Sequence, residues 1–290
     1  MHSSNFFLFF YEELDFMPII SLGDNESEQQ PTTIPNEIPI LPLRNTVLFP
    51  GVVLPITVDR DKSIQAANDA YKTDKLIGVL SQKDSALEDP AMKDLVEIGT
   101  IARILKLIKM PDGGTTIIIQ GYKRLNLKAV TAEQPYFKAS IEVLEESNIP
   151  EDEDFKAYVS NIKDLAFQIV QLSPNIPSEA SIVLKNIENH SFLIHFIAGN
   201  LNSDVAEKQR LLEINSIKER AEVLMKLLQR ELQFAELKNK VTTKTRTELD
   251  KQQREYFLQQ QLKRIKEELG DANEKEIRER MSLSPTEAKD

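Results

Sequence analysis

IPILPLRNTVLFPGVVLPITV, residues Ile38 to Val58, decides how this chain folds. Apolar residues dominate it, yet prolines fall at Pro39, Pro42, Pro50 and Pro55. A proline inside a helix removes a hydrogen bond and clashes with the preceding turn, so no helix runs through here. The residue before each proline is pushed toward extended geometry. Thr46, Val47, Val52, Val53, Ile56, Thr57 and Val58 add β-branched mass that favours strand. The stretch predicts short strands joined by bends, with Phe49-Pro50-Gly51 as one sharp bend. Prolines at strand edges and bulges suit a bent, partly closed sheet rather than a flat one.

On the C-terminal side, Ile64, Ala66, Ala67, Ala70 and Tyr71 recur at helical spacing, with Asp61 or Ser63 as the expected cap. Leu76–Gln82 and Gly99–Met110 read as strands, separated by a polar loop at 84–94. Pro111-Asp112-Gly113-Gly114 is a hairpin turn, because glycine supplies the positive φ the turn needs. Thr115–Gly121, Tyr122–Val130 and Phe137–Leu144 complete six or seven strands, enough to curl into a small barrel-like sheet. On the N-terminal side, Met1–Glu37 reads as a flexible tail. Its Phe6–Phe10 cluster is too short for a signal-peptide core and has no preceding basic residue.

Strand patterning stops at an acidic connection, Ser147–Asp154. Beyond it, apolar residues return with a period near 3.6 from Phe155 to Val170, and three further short helices follow to about Leu212. Each buries one stripe, as in a small bundle. Ser178 is the expected cap of the second helix and Ser203 or Asp204 that of the fourth. Ser216-Ile217-Lys218-Glu219 is a capping box. From there to Leu269 no proline or glycine intervenes, so an unbroken helix would reach roughly 80 Å. Its first part keeps an apolar stripe through Leu232. Lys238–Arg254 is polar almost all round, the pattern of a solvent-bridging rod or of no stable helix. Tyr256, Phe257, Leu262, Ile265 and Leu269 then restore a stripe with no partner evident in the chain.

Composition excludes several functions. The 290 residues carry a formal net charge of −10, which argues against a general nucleic-acid binder. There is no cysteine, hence no disulfide, thiolate nucleophile or zinc–thiolate site. No apolar run approaches the ~20 residues of a membrane-spanning helix. None of the 9 glycines is followed by lysine, so no phosphate-binding loop is present. His190 and His195, five apart on an apolar helix, read as bundle residues rather than metal ligands. Glu145/Glu146 and Glu151–Asp154 read as solvated acidic runs.

Three segments carry a family resemblance. Pro39-Ile40-Leu41-Pro42-Leu43-Arg44, Leu48-Phe49-Pro50-Gly51 and Leu54-Pro55-Ile56 resemble the opening of the N-terminal domain of Lon, the ATP-dependent serine protease. Asp59 stands where that family usually has glycine. Free-standing LON-domain proteins begin the same way. The second segment separates them: Asp250–Gly270, with Gln253-Arg254-Glu255-Tyr256-Phe257-Leu258 and Ile265-Lys266-Glu267-Glu268-Leu269-Gly270, is similar to the sequence preceding the Lon ATPase module. Asp204–Gln209 with Leu212-Glu213 also matches the family pattern. The resemblance covers about Ile38 to Gly270.

It implies an α+β region: a bent barrel-like β domain with one helix, a small helical bundle and a very long C-terminal helix. The expected organisation is a tail over 1–37, the β domain over 38–146, the bundle over 147–214, the long helix over 215–270, and a linker toward an ATPase module over 271–290. The resemblance further implies a cytoplasmic homohexamer that degrades unfolded or regulatory proteins, with ATP and magnesium held outside this region. This region would capture substrate; it holds no catalytic, cofactor or metal residue of its own. Arg60, Asp61 and Lys62 match a family loop implicated in substrate selection. Tyr256, Phe257, Leu262, Ile265 and Leu269 would serve a strut or oligomer contact. The alternatives are a LON-domain adaptor without protease activity and, against the charge balance, RNA binding by the sheet. No membrane partner is expected.

Overall fold

The computed structural model describes residues 34–109, 114–146, 152–173, 176 and 179–282. The Phe6–Phe10 cluster, the turn residues 110–113 and the expected cap Ser178 lie outside the described residues. The chain divides into two compact units, Met1–Ala235 and Glu236–Asp290.

The first unit opens with β1 (Glu37–Leu43) and β2 (Val53–Val58), both inside the proline-rich stretch. Helix α1 (Asp61–Lys72) follows, then β3 (Leu76–Ser81), β4 (Ile98–Lys109), β5 (Thr115–Ala132) and β6 (Lys138–Leu144). The sheet order is β2-β5-β4-β3-β1-β6, and β5 also pairs with β6. That extra pairing closes β1, β3, β4, β5 and β6 into a ring, with β2 as an added strand on β5. The barrel-like expectation holds. Closure depends on the length of β5, which spans 18 residues. Its first half pairs with β2 and its second half with β6. The expected break between Gly121 and Tyr122 is absent. Gly121 instead permits close approach of another segment, since a Cβ there would lie 2.2 Å from the Phe49 carbonyl oxygen.

The prolines sit where the ladder tolerates them. β1 pairs with β6 over Glu37–Pro39 and with β3 over Ile40–Leu43, so Pro39 and Pro42 each have one named strand partner. Pro55 lies on β2, whose only named partner is β5. A residue without an N–H fits such half-paired positions. The bend at Phe49-Pro50-Gly51 closes with Val52 N–H donating to the Phe49 carbonyl at 3.2 Å, and Gly51 takes φ 77°. β4 and β5 pair antiparallel to Lys109 and Thr115, the strand ends the expected hairpin requires.

The helices are α2 (Glu153–Leu172), α3 (Glu179–Asn186), α4 (His190–Asn200), α5 (Val205–Glu213) and α6 (Ile217–Ser282). Asp152, Asn189 and Asp204 cap α2, α4 and α5 by accepting from the amides of Phe155, Phe192 and Glu207. At α6 the Glu219 amide donates to Ser216 Oγ at 3.4 Å, one half of the expected capping box. α1 departs from expectation. Its N-cap is Arg60, and no side chain caps it.

Barrel and bundle are not independent domains with a boundary near 147. Val47 and Phe49, from the proline-rich stretch, belong to the same apolar core as Phe155, Ile162, Leu193, Ile194, Leu211 and Leu224. Two further clusters fill the two sides of the sheet, one against α1 and one around Leu76, Leu80, Ile101 and Leu125. The root of α6 contributes Ile217, Ala221, Leu224 and Leu228 to the shared core, all buried.

The described part of the second unit is the rest of α6, to Ser282. The Lys238–Arg254 stretch is helical, and the helix runs through Gly270 to Ser282, past the expected boundary at 270. One glycine costs a helix about 1 kcal/mol, too little by itself to end it. Leu249, Tyr256, Phe257, Leu258, Leu262, Ile265 and Leu269 are all exposed.

Candidate functional site

The first turn of α1 brings Arg60, Asp61 and Lys62 to one groove of about 330 Å³. Ile40 and Pro42 of β1, Ser63 of α1, Glu88, Asp89 and Pro90 of the β3–β4 connection, and Tyr136 and Phe137 before β6 complete its lining. Sequence spacing placed the three charged residues together. It gave no sign of the other walls, which come from segments about 18 to 77 positions away and meet because β1 lies between β3 and β6.

Each wall is fixed by a polar contact. Arg60 Nη2 donates to Gln82 Oε1 at 3.0 Å, and Gln82 Nε2 donates to the Leu87 carbonyl at 3.0 Å. Gln82 is buried, so it ties Arg60 to the connection that carries Glu88 and Asp89. Arg44 Nη2 donates to the same Leu87 carbonyl at 3.1 Å. Lys62 Nζ sits 5.6 Å above the Phe137 ring, and Lys138 Nζ lies 5.5 Å from the Tyr136 ring, both within cation–π range. Tyr136 and Phe137 are buried, and burial together with the facing Asp69 carboxylate pushes the Tyr136 phenol up. The groove thus has a rigid aromatic wall and a rim of mixed charge.

A second cluster lies within the first unit and was missed from sequence. Arg124 of β5 donates to the carbonyls of Leu212 and Ile214 at 3.1 and 3.3 Å and to Asn215 Oδ1 at 2.7 Å. Arg220 of α6, fully buried, donates to Glu146 Oε1 at 2.8 Å and to the Leu211 carbonyl at 3.0 Å. His195 Nε2 of α4 lies 2.9 Å from the same Glu146 oxygen. Burial, with two guanidiniums nearby, pushes His195 down against the opposing pull of the Glu146 carboxylate, and Arg220 Nη1 also contacts Nε2. Burial alone would raise Glu146; the hydrogen bonds from His195 and Arg220 outweigh it and bring the carboxyl to about 2. Burial and Arg220 lower Arg124 to about 10. Glu146 is therefore not part of a solvated run, whereas Glu145 is, pairing with Lys123 at 2.8 Å with most of its side chain exposed. The cluster joins β5, the end of β6, α4 and the root of α6. No local pattern marks it, because its members lie 22 to 96 positions apart. His195 is a bundle residue, as expected, and among the described residues no group of acidic and histidine side chains could hold a metal ion.

The stripe residues Tyr256, Phe257, Leu262, Ile265 and Leu269 share one element and are exposed. Among the described residues no helix is long and apolar enough to cross a membrane.

A closed sheet sharing a core with a helical bundle, with an open groove beside its single flanking helix, defines an α+β domain of the LON N-terminal type. A family model described as the ATP-dependent protease La (LON) substrate-binding domain matches residues 37–230, and the chain belongs to this family. It is 50% identical over 273 residues to the Lon protease of Flavobacterium johnsoniae, covering 94% of this chain and 33% of that protein. Its identity to the Lon protease of Cytophaga hutchinsonii is 40% over 272 residues, 93% of this chain and 33% of that one. The chain spans about a third of the length of these curated relatives. The N-terminal domain of the Mycobacterium avium complex Lon protease shares the fold, with a TM-score of 0.53 at 24% identity over 67% of this chain and 98% of that chain.

Proposed function

We propose that this chain is the substrate-capturing region of an ATP-dependent serine endopeptidase of the Lon type, and that the groove beside α1 is where it holds segments of its protein substrates. The observation that carries this is the convergence of Arg60, Asp61 and Lys62 with the buried Tyr136 and Phe137 around one open groove. Unfolded chains differ from folded ones by their exposed apolar side chains. A fixed aromatic wall offers such side chains a place to leave water, while the mixed-charge rim keeps the empty groove solvated. Weak, sequence-tolerant engagement suits a first capture step.

The whole enzyme would work as a cytoplasmic homohexamer. The exposed stripe of the second unit, Tyr256 to Leu269, would serve as strut and contact between copies. ATP and magnesium would act elsewhere in such an enzyme. No glycine of this chain is followed by lysine, so it carries no phosphate-binding loop of the Gly-Lys type. Degradation of misfolded and regulatory proteins would then follow capture. A LON-domain adaptor that presents targets to a separate machine would use the same groove.

The test is photo-crosslinking. An unfolded model protein carrying a photoreactive apolar residue is bound to this chain and the attached sites are mapped. Attachment at Lys62, Tyr136, Phe137 and the 88–90 segment is the expected outcome. Attachment confined to residues 1–37 or to the second unit would refute capture at the groove.

A further inference from the structure

The first turn of α1 opens on the groove with its hydrogen-bonding capacity unspent. The helix's first internal bond runs from Ile64 N–H to the Arg60 carbonyl at 2.9 Å. The amides of Asp61, Lys62 and Ser63 therefore have no partner within the helix, and Arg60 provides no side-chain cap. Ser63 supplies a second observation. It is only 6% exposed and lines the groove, yet its hydroxyl forms no hydrogen bond to any described residue and is not sealed from solvent. The hydroxyl therefore reaches the groove, where a bound group can meet it. Free amides at the positive end of a helix, an unpartnered hydroxyl and the Lys62 ammonium make a carboxylate site.

The remaining lining narrows the choice of carboxylate. Asp61, Glu88 and Asp89 repel any segment bearing several acidic side chains and attract basic ones. A volume of about 330 Å³ is at the small end of ligand pockets, room for the tip of a chain rather than a running segment. The Tyr136 and Phe137 rings supply apolar contact beside the charged turn.

Resting on the capture role proposed above, we infer that the groove receives the C-terminus of a substrate protein. The terminal carboxylate lies at the first turn of α1, on the Ser63 hydroxyl and Lys62. The last side chain, apolar, packs on Phe137 and Tyr136. Basic residues just before it face Glu88 and Asp89.

Fluorescence anisotropy on the full chain tests this. The probe is a labelled peptide ending in leucine after two lysines, prepared as free acid, as C-terminal amide, and as amide with an internal glutamate. The free acid binds about tenfold tighter than either amide, a difference of about 1.4 kcal/mol. Replacing the lysines by glutamates weakens the free acid further. Ser63→Ala weakens the free acid several-fold and leaves the amide unchanged; should that variant fail to fold, Lys62→Ala takes its place. Equal affinity of acid and amide, an internal glutamate that restores binding, no measurable binding of any peptide, or indifference to the variant overturns the inference. If the unfolded protein still crosslinks at the groove in that event, capture stands and only the chain-end specificity falls. If crosslinking is lost as well, both fall.

Discussion

The two units of this chain use the same helix under opposite conditions. In the first, Ile217, Ala221, Leu224 and Leu228 of α6 are buried against α2, α4 and α5. In the second, Leu258, Leu262, Ile265 and Leu269 repeat at the same helical spacing and are more than half exposed. Identical periodicity thus leads to a core in one place and a bare stripe in the other. Periodicity says which residues share a face; burial requires a surface to meet that face. The first unit meets it twice over, with apolar packing around Phe49 and with the Arg124–Glu146–His195–Arg220 cluster. The second carries surplus apolar surface of the kind that marks an interaction site.

Mutations sharpen that contrast, and the largest effect is expected where the proline-rich stretch enters the bundle. Phe49 has no exposure, so Phe49→Ala should cost about 4 kcal/mol in urea unfolding. A loss under about 1 kcal/mol would mean the barrel and bundle are separable after all. The matched pair Leu224→Ala and Leu262→Ala addresses α6 directly. The first should lose about 3 kcal/mol and the second stay within about 0.5 kcal/mol at dilute concentration. A large loss at Leu262 that grows with protein concentration would place a second copy on the stripe.

The polar cluster is next. Glu146→Ala leaves the buried Arg220 without its carboxylate and should cost about 3 kcal/mol. The pH dependence has a definite sign. Glu146 is held near 2 in the folded chain against an ordinary 4.5, so between these values the unfolded chain binds the extra proton. Its contribution is complete above about pH 4.5 and is lost as pH falls through about 2, amounting to about 3 kcal/mol at most. Glu146→Gln should flatten the acid limb of a stability–pH curve; an unaltered limb would assign it to other carboxylates. The smallest effect is expected at a helix end. Asp204→Ala removes the acceptor 2.7 Å from the Glu207 amide and should cost about 1 kcal/mol, read as a lower melting temperature.

Much of the fold was legible because its signals are local. Prolines at 39, 42, 50 and 55 ruled out helix and forced bends. The glycines at 113 and 114 pointed to the antiparallel pairing of β4 with β5, and Asp204, one of the two residues expected to cap α5, caps it. The α+β class, the barrel-like sheet and the long helix followed from such signals. The candidate site was half legible. Arg60, Asp61 and Lys62 were consecutive and could be read together, and the structure places all three on one groove. Phe137 read only as a strand start, Tyr136 carried no reading, and Gln82 read only as the end of a buried run. Glu146 looked like one more surface acid beside Glu145, since nothing adjacent to it reveals a buried arginine 74 residues away.

The sequence by itself determined where strands, helices and turns fall, because backbone sterics, side-chain periodicity and end-capping act over a few residues. Only the tertiary structure decided that barrel and bundle share one core, that the Ser63 hydroxyl bonds to no described residue, and that Glu146, His195 and Arg220 meet in the interior. Those outcomes depend on which distant surfaces exclude water from each other, and that is a property of the packed chain rather than of any segment.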